Sequence, residues 1–335
     1  MADPLIYPFD RSLYKSPPPS PFSSHLFHMN MASWHLRERA QKYLRIRNAL
    51  IRECLAEFLG VFVLLFITTG AVAQGVTSAN TKGNFFCMYL AGAIAVVVAI
   101  YVSGGVSGGH LNPAYSLSLC VIGRFSWRKL PVYILIQMLG SFTGAAATYA
   151  LYYDAIQHYT NGNLTVYGPR ETASIFSTYP APYLTIRNGF LDQVMGTAML
   201  MIGILAICDS KNKPVPKGLE PVVVGMLVFS IGLSMGANCG YPINPSRDLG
   251  PRIFTYVAGW GADVFRAGNN WWWVPVVAPC VGGVLGSIMY QLLVEIHHPK
   301  EDTNKEEIVK DVAPEKWREI PVFTINMDSS CSHRL

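Results

Sequence analysis

At 335 residues, with 51% hydrophobic and only 14% charged side chains, the chain carries far less charge than a soluble globular protein, where about a quarter of residues are charged. That balance places it among membrane proteins before any motif is read. The net charge of +5 sits mostly near the ends and in short loops, so it reports orientation in a membrane and not nucleic acid binding.

Residues 1–50 read as a tail: Pro- and Ser-rich around Ser16-Pro17-Pro18-Pro19-Ser20-Pro21, then basic through Arg37, Arg39, Lys42, Arg45 and Arg47. The tail has no apolar core of a signal peptide. Apolar runs predict a first span over about 54–73 and a second over about 85–102. His110-Leu111-Asn112-Pro113-Ala114 follows, leading a short helical piece to Val121. A third span is predicted over about 130–152, and a long polar segment, 153–188, carries the sequon Asn163-Leu164-Thr165. The fourth and fifth spans fall at about 189–208 and 220–235, joined by a short loop bearing Lys211, Lys213 and Lys217. Ile243-Asn244-Pro245-Ser246-Arg247-Asp248 opens a second short helix, to about Val257. The sixth span runs over about 272–296, with Trp271, Trp272 and Trp273 as an interfacial anchor, and 299–335 form a second tail.

Each Asn-Pro pair reads as a helix start, because Asn is a favoured N-cap and Pro suits the first helical position. Both helices are too short to cross a bilayer. Polar helix starts inside an apolar chain make sense where the backbone lines a water-filled cavity. The membrane domain expected is 51–298, built as repeat one (about 51–152) and repeat two (about 189–298). Three spans per repeat invert the second copy, so the half-helices enter from opposite faces and meet near the midplane. Gly140 with Gly144 and Gly282 with Gly286 allow close helix contacts. Lys and Arg in short loops put both termini in the cytoplasm. The fold expected is thus all-α integral membrane: six transmembrane helices plus two half-helices. The seven cysteines are scattered singly, which indicates no metal site and no disulfide framework.

The paired Asn112-Pro113-Ala114 and Asn244-Pro245-Ser246, with Arg247 and Asp248 following, resemble the major intrinsic proteins, the aquaporins, over about 51–298. An Asp directly after the Arg resembles their glycerol-conducting branch. The resemblance implies a passive cell-membrane channel for glycerol, water and urea, without cofactor or enzymatic activity, assembled as a homotetramer in lipid. It implies pore amides at Asn112 and Asn244, and a selectivity filter of Gly92, Gly232, Tyr241 and Arg247. Gly92 and Gly232 would leave the filter wide, Tyr241 would supply an apolar wall, and Arg247 would bond hydroxyls and oppose cations. Backbone carbonyls of the nonhelical approaches, Gly108 to His110 and Ala237 to Cys239, would accept solute hydroxyls.

Glu57 and Gln193 occupy matching places in the two repeats and read as supports for the half-helix loops, as does Asp248. Gln193 departs from the family's usual acid and Ser246 from its usual Ala. His110 is a pH-sensing candidate, with Glu57 as its acidic partner. The rival readings are a strict water channel, a coupled secondary transporter, for which no second intramembrane acid lies near Glu57, and a junctional membrane protein.

Overall fold

In a computed structural model, residues 38–299 are described; the expectations for the two tails fall largely outside them. A short helix α1 (38–44) belongs to a unit that ends at Asn48, separate from the body that begins at Ala49. The body contains α2 (Ala49–Thr77), α3 (Phe85–Ser107), α4 (Pro113–Val121), α5 (Leu130–Leu151), α6 (Tyr153–Thr160), α7 (Ile186–Cys208), α8 (Glu220–Cys239), α9 (Pro245–Thr255), α10 (Asp263–Asn270) and α11 (Val274–Leu293). Among the described residues there is no strand. Six helical runs are long and apolar enough to cross a membrane: α2, α3, α5, α7, α8 and the run containing α11. Large apolar side chains such as Leu135, Leu191 and Leu285 are exposed on their outer faces. In water such a surface would be costly; against lipid it is the expected exterior.

The two repeats pack alike. A Cβ on Gly140 would lie 2.7 Å from Phe58 O, and one on Gly144 would lie 2.9 Å from Phe62 O, so α5 lies directly on α2. Gly282 and Gly286 do the same for α11 on α7, with 2.2 Å to Val194 O and 2.4 Å to Ala198 O. Only a residue without a side chain permits that approach. Helices α2, α3, α7 and α8 contribute side chains to the central cavity, while α5 and α11 pack behind α2 and α7.

Three local readings need correction. Ala237 to Cys239 are not a nonhelical approach; they are the last turn of α8, and Asn238 O accepts from Ala181 N at 2.8 Å. The segment 153–188 is not a simple polar loop. It starts with α6 and then turns inward, burying Ala173, Ile175, Phe176, Ser177 and Thr178. The tryptophan triplet splits: Trp271 is fully buried over Gly189, while Trp272 stays half-exposed.

At the face where α7 ends and α11 exits, Tyr290 donates to Asp209 at 2.9 Å and His298 Nε2 lies 2.5 Å from the same carboxylate. Burial pushes the Asp209 carboxyl up, but the hydrogen bonds from His298 and Tyr290 outweigh it and hold it below the ordinary value.

Candidate functional site

The two half-helices meet at their N-termini. Asn112 caps α4 by accepting from Ala114 N at 2.9 Å, and Asn244 caps α9 by accepting from Ser246 N at 3.0 Å. Pro113 and Pro245 take the first helical positions, where no N–H is needed. The amide nitrogens reach across: Asn112 Nδ2 donates to Ile243 O at 3.0 Å, and Asn244 Nδ2 donates to Leu111 O at 2.9 Å. Each amide thereby spends one hydrogen on the opposite loop and keeps one for a passing oxygen. The carbonyls are aimed by unusual backbone, with φ of 56° at Leu111 and 39° at Ile243. A left-handed conformation at such residues costs on the order of 1–3 kcal/mol and persists only where its surroundings impose it.

Those surroundings are the support residues. Glu57, fully buried, takes four donors: Ser107 Oγ (2.7 Å) and His110 N (2.8 Å) on one oxygen, Leu111 N (2.8 Å) and Gln137 Nε2 (2.9 Å) on the other. Gln193 holds the second loop more lightly, accepting from Ile243 N at 2.9 Å while donating to Asp192 Oδ1 and Cys239 Sγ. Asp248 points away from the centre. One of its oxygens accepts from Thr178 N at 2.7 Å and Thr178 Oγ1 at 2.5 Å; the other pairs with buried Arg252 at 2.7 Å. Ser246 Oγ adds a bond to Asn244 Oδ1 at 2.9 Å, one that Ala114 has no group to make.

A cavity of about 850 Å³ runs past this junction, lined by Asn112, Asn244, Arg247, Tyr241, Gly92 and His110 among others. Arg247 is fixed by donating from Nη1 to Phe176 O at 3.0 Å. The two filter glycines have different fates. At Gly92 a Cβ would make ordinary contacts, with Tyr241 Oη at 3.4 Å, Thr68 Cγ2 at 3.7 Å and Thr68 Oγ1 at 4.0 Å, so a methyl group fits there without collision. At Gly232 a Cβ would lie 2.8 Å from Tyr241 Cζ: the vacancy is already filled by the tyrosine ring, and Gly232 contributes a seat instead of width. His110 meets Glu57 through its backbone and not through its ring. The ring faces Ser116, with Nδ1 2.9 Å from Ser116 Oγ, and packs among Tyr115, Phe125 and Tyr133.

The family description "MIP: Major intrinsic protein" matches residues 45–290. The chain belongs to the major intrinsic protein family. It is 67% identical to human Aquaporin-10, over 80% of this chain and 89% of that protein. It is 48% identical to human Aquaporin-9, over 82% and 93%. Among solved structures it resembles the aquaglyceroporin from Plasmodium falciparum, with TM-score 0.67 and 34% identity over 74% of this chain and 98% of that one. Members of the family are channels, so this multi-pass membrane protein is a channel and not an enzyme.

Within this major intrinsic protein, sequence reasoning missed four cavity or support residues. Phe176 and Thr178 act through backbone and hydroxyl groups some seventy positions from their partners, and no local signal marks them. Thr68 and Tyr89 were findable. Leu64, Thr68, Val72 and Val76 recur every fourth residue along the cavity side of α2, and Tyr89 lies on the cavity side of α3. The outer mouth also holds Glu171, whose carboxylate caps Ser174 N at 3.1 Å and Ser174 Oγ at 2.6 Å; burial pushes its pKa up against those bonds. No cluster suited to a metal ion occurs among the described residues.

Proposed function

We propose that the protein is a passive channel for glycerol, water and urea that excludes ions and protons. The observation that carries this reading is the pairing of a fixed guanidinium, Arg247, with room for a methyl group at Gly92 and an aromatic wall at Tyr241. A three-carbon polyol can lay its carbons on that wall while its hydroxyls accept from Arg247, and a strict water pore needs no such room. Exclusion of cations rests on Arg247 and on the two helix N-termini that converge at Asn112 and Asn244, each worth roughly half a positive charge. Stopped-flow light scattering on proteoliposomes under a glycerol gradient tests the reading. Glycerol entry without an ion gradient supports it; water flux alone favours the strict water channel; flux that requires an ion gradient favours a coupled transporter.

Finer features belong to the same proposal. The channel lies in the cell membrane with both termini cytoplasmic, supported by the Lys and Arg of loops 122–129 and 209–219. Asn163, exposed just after α6 on the opposite face, then carries an N-glycan; an N-glycosidase should shift the gel band, and Asn163→Gln should abolish the shift. The assembly is a homotetramer with one pore per subunit, checked by the mass of the detergent-solubilised particle. Acidification raises glycerol flux through His110, which lines the cavity and whose backbone N–H donates to Glu57 of α2. Because both Glu57 oxygens are occupied, the charged ring must leave Ser116 and break into that set of donors. A flat glycerol profile between about pH 7.5 and 5.5, or a full response in His110→Ala, removes His110 from the mechanism.

A further inference from the structure

Tyr89 lies on α3 one turn before Gly92 and lines the same cavity. Its ring stands at 86° to that of Tyr241, with centroids 5.0 Å apart. Both rings are seated on one helix. A Cβ on Gly232 would lie 2.8 Å from Tyr241 Cζ, and a Cβ on Gly236, one turn further along α8, would lie 2.6 Å from Tyr89 Oη and 2.8 Å from Tyr89 Cζ. The two tyrosines therefore press into successive glycine notches of α8 while touching each other edge to face. Neither ring can retreat into α8, because the backbone is already at contact, and neither can move towards the other. At Gly92, by contrast, a Cβ would make only ordinary contacts, 3.4 Å to Tyr241 Oη and 3.7 Å to Thr68 Cγ2.

We propose that Tyr89 sets the upper cross-section for solutes reaching Arg247, acting as a specificity-determining residue one turn outward from Gly92. A methyl group would fit at Gly92, whereas the right-angled pair above it is already pressed against α8, and that pair fixes the limit. Broad solutes are stopped at Tyr89, and slender ones such as glycerol pass along the two ring faces. The ring carries the effect, and the phenol hydroxyl is dispensable.

This inference rests on the glycerol-channel reading, and the experiment separates the two. Entry of water, glycerol and the branched tetraol pentaerythritol is followed by light scattering in proteoliposomes of wild type, Tyr89→Ala, Tyr89→Phe and Gly236→Ala. Wild type should admit glycerol and exclude pentaerythritol. Tyr89→Ala should raise pentaerythritol entry by about fivefold or more while glycerol and water change less than about twofold, and Tyr89→Phe should match wild type, since width and not hydroxyl chemistry sets the limit. Gly236→Ala should drive the ring into the channel and lower glycerol flux more than water flux. If Tyr89→Ala is inactive towards water, Tyr89→Leu replaces it under the same criteria. The proposal is overturned if wild type conducts glycerol and the Ala or Leu variant conducts it too, yet the ratio of pentaerythritol to glycerol entry does not move. If wild type conducts water alone, the glycerol-channel reading falls, and Tyr89 is judged by whether its removal admits glycerol.

Discussion

The loop of the first half-helix hangs from one charged side chain, and the loop of the second hangs from several groups of mixed kind. Glu57 collects four donors on two oxygens and holds His110 and Leu111 by their backbone. Its counterpart Gln193 accepts a single backbone bond, from Ile243. The second loop recovers the difference through Asp248 and Arg252, which fasten α9 to Thr178 and to Val264 O. A neutral amide suffices in repeat two because the half-helix is clamped there by an ion pair; the first half-helix is tied instead through Ser116, to Gln137 and the His110 ring. Approximate symmetry of the backbone thus does not require symmetry of the fastenings.

The comparison can be broken most severely at the clamp. Asp248→Asn leaves Arg252 buried without its counter-charge, and loss of one partner of such a pair costs about 3–5 kcal/mol. The expected outcome is poor recovery of folded protein and a large fall in unfolding temperature in detergent. Next comes Glu57→Gln, which replaces one of the two acceptor oxygens with an N–H₂ aimed at two other donors, a cost of about 1–3 kcal/mol. Water and glycerol flux should fall together, because the loop moves and not the filter. The reciprocal Gln193→Glu sharpens the contrast: a second carboxylate beside Asp192 gains nothing, so it should destabilise without restoring a Glu57-like hold.

Which of these features was legible beforehand follows from range. The spans are written in hydropathy, and the half-helix starts in Asn-Pro, because caps and burial are local properties. Ala237 to Cys239 were misread as nonhelical because the positions equivalent to 108–110 are 240–242: each helix stops on a glycine four residues before its Asn, Gly108 at φ 88° and Gly240 at φ 74°. Phe176 and Thr178 were invisible, since their roles exist only once a distant loop has folded inward. Gly92 and Gly232 look identical as letters, and only the position of the Tyr241 ring distinguishes them.

That last pair gives a smaller test. Gly232→Ala collides with Tyr241 and should reduce glycerol flux about fivefold, whereas Gly92→Ala meets only ordinary contacts and should change it less than about twofold. Equal losses would show that both glycines border open space. The smallest effect is expected at Ser246→Ala, which deletes the bond to Asn244 Oδ1 but leaves two backbone donors on that oxygen. Stability should fall by no more than about 1 kcal/mol, with flux unchanged.

The crossed amides have a consequence for how the chain is made. Asn112 finds its partner on Ile243, and Asn244 finds its partner on Leu111. While the ribosome has delivered only the first repeat, Asn112 sits at hydrocarbon depth with a donor unmet and Leu111 presents a carbonyl to no one. The crossed bonds need both loops, and they join residues some 130 positions apart. Until then the nascent chain displays polar backbone where lipid tolerates none, a mark that membrane quality control can read.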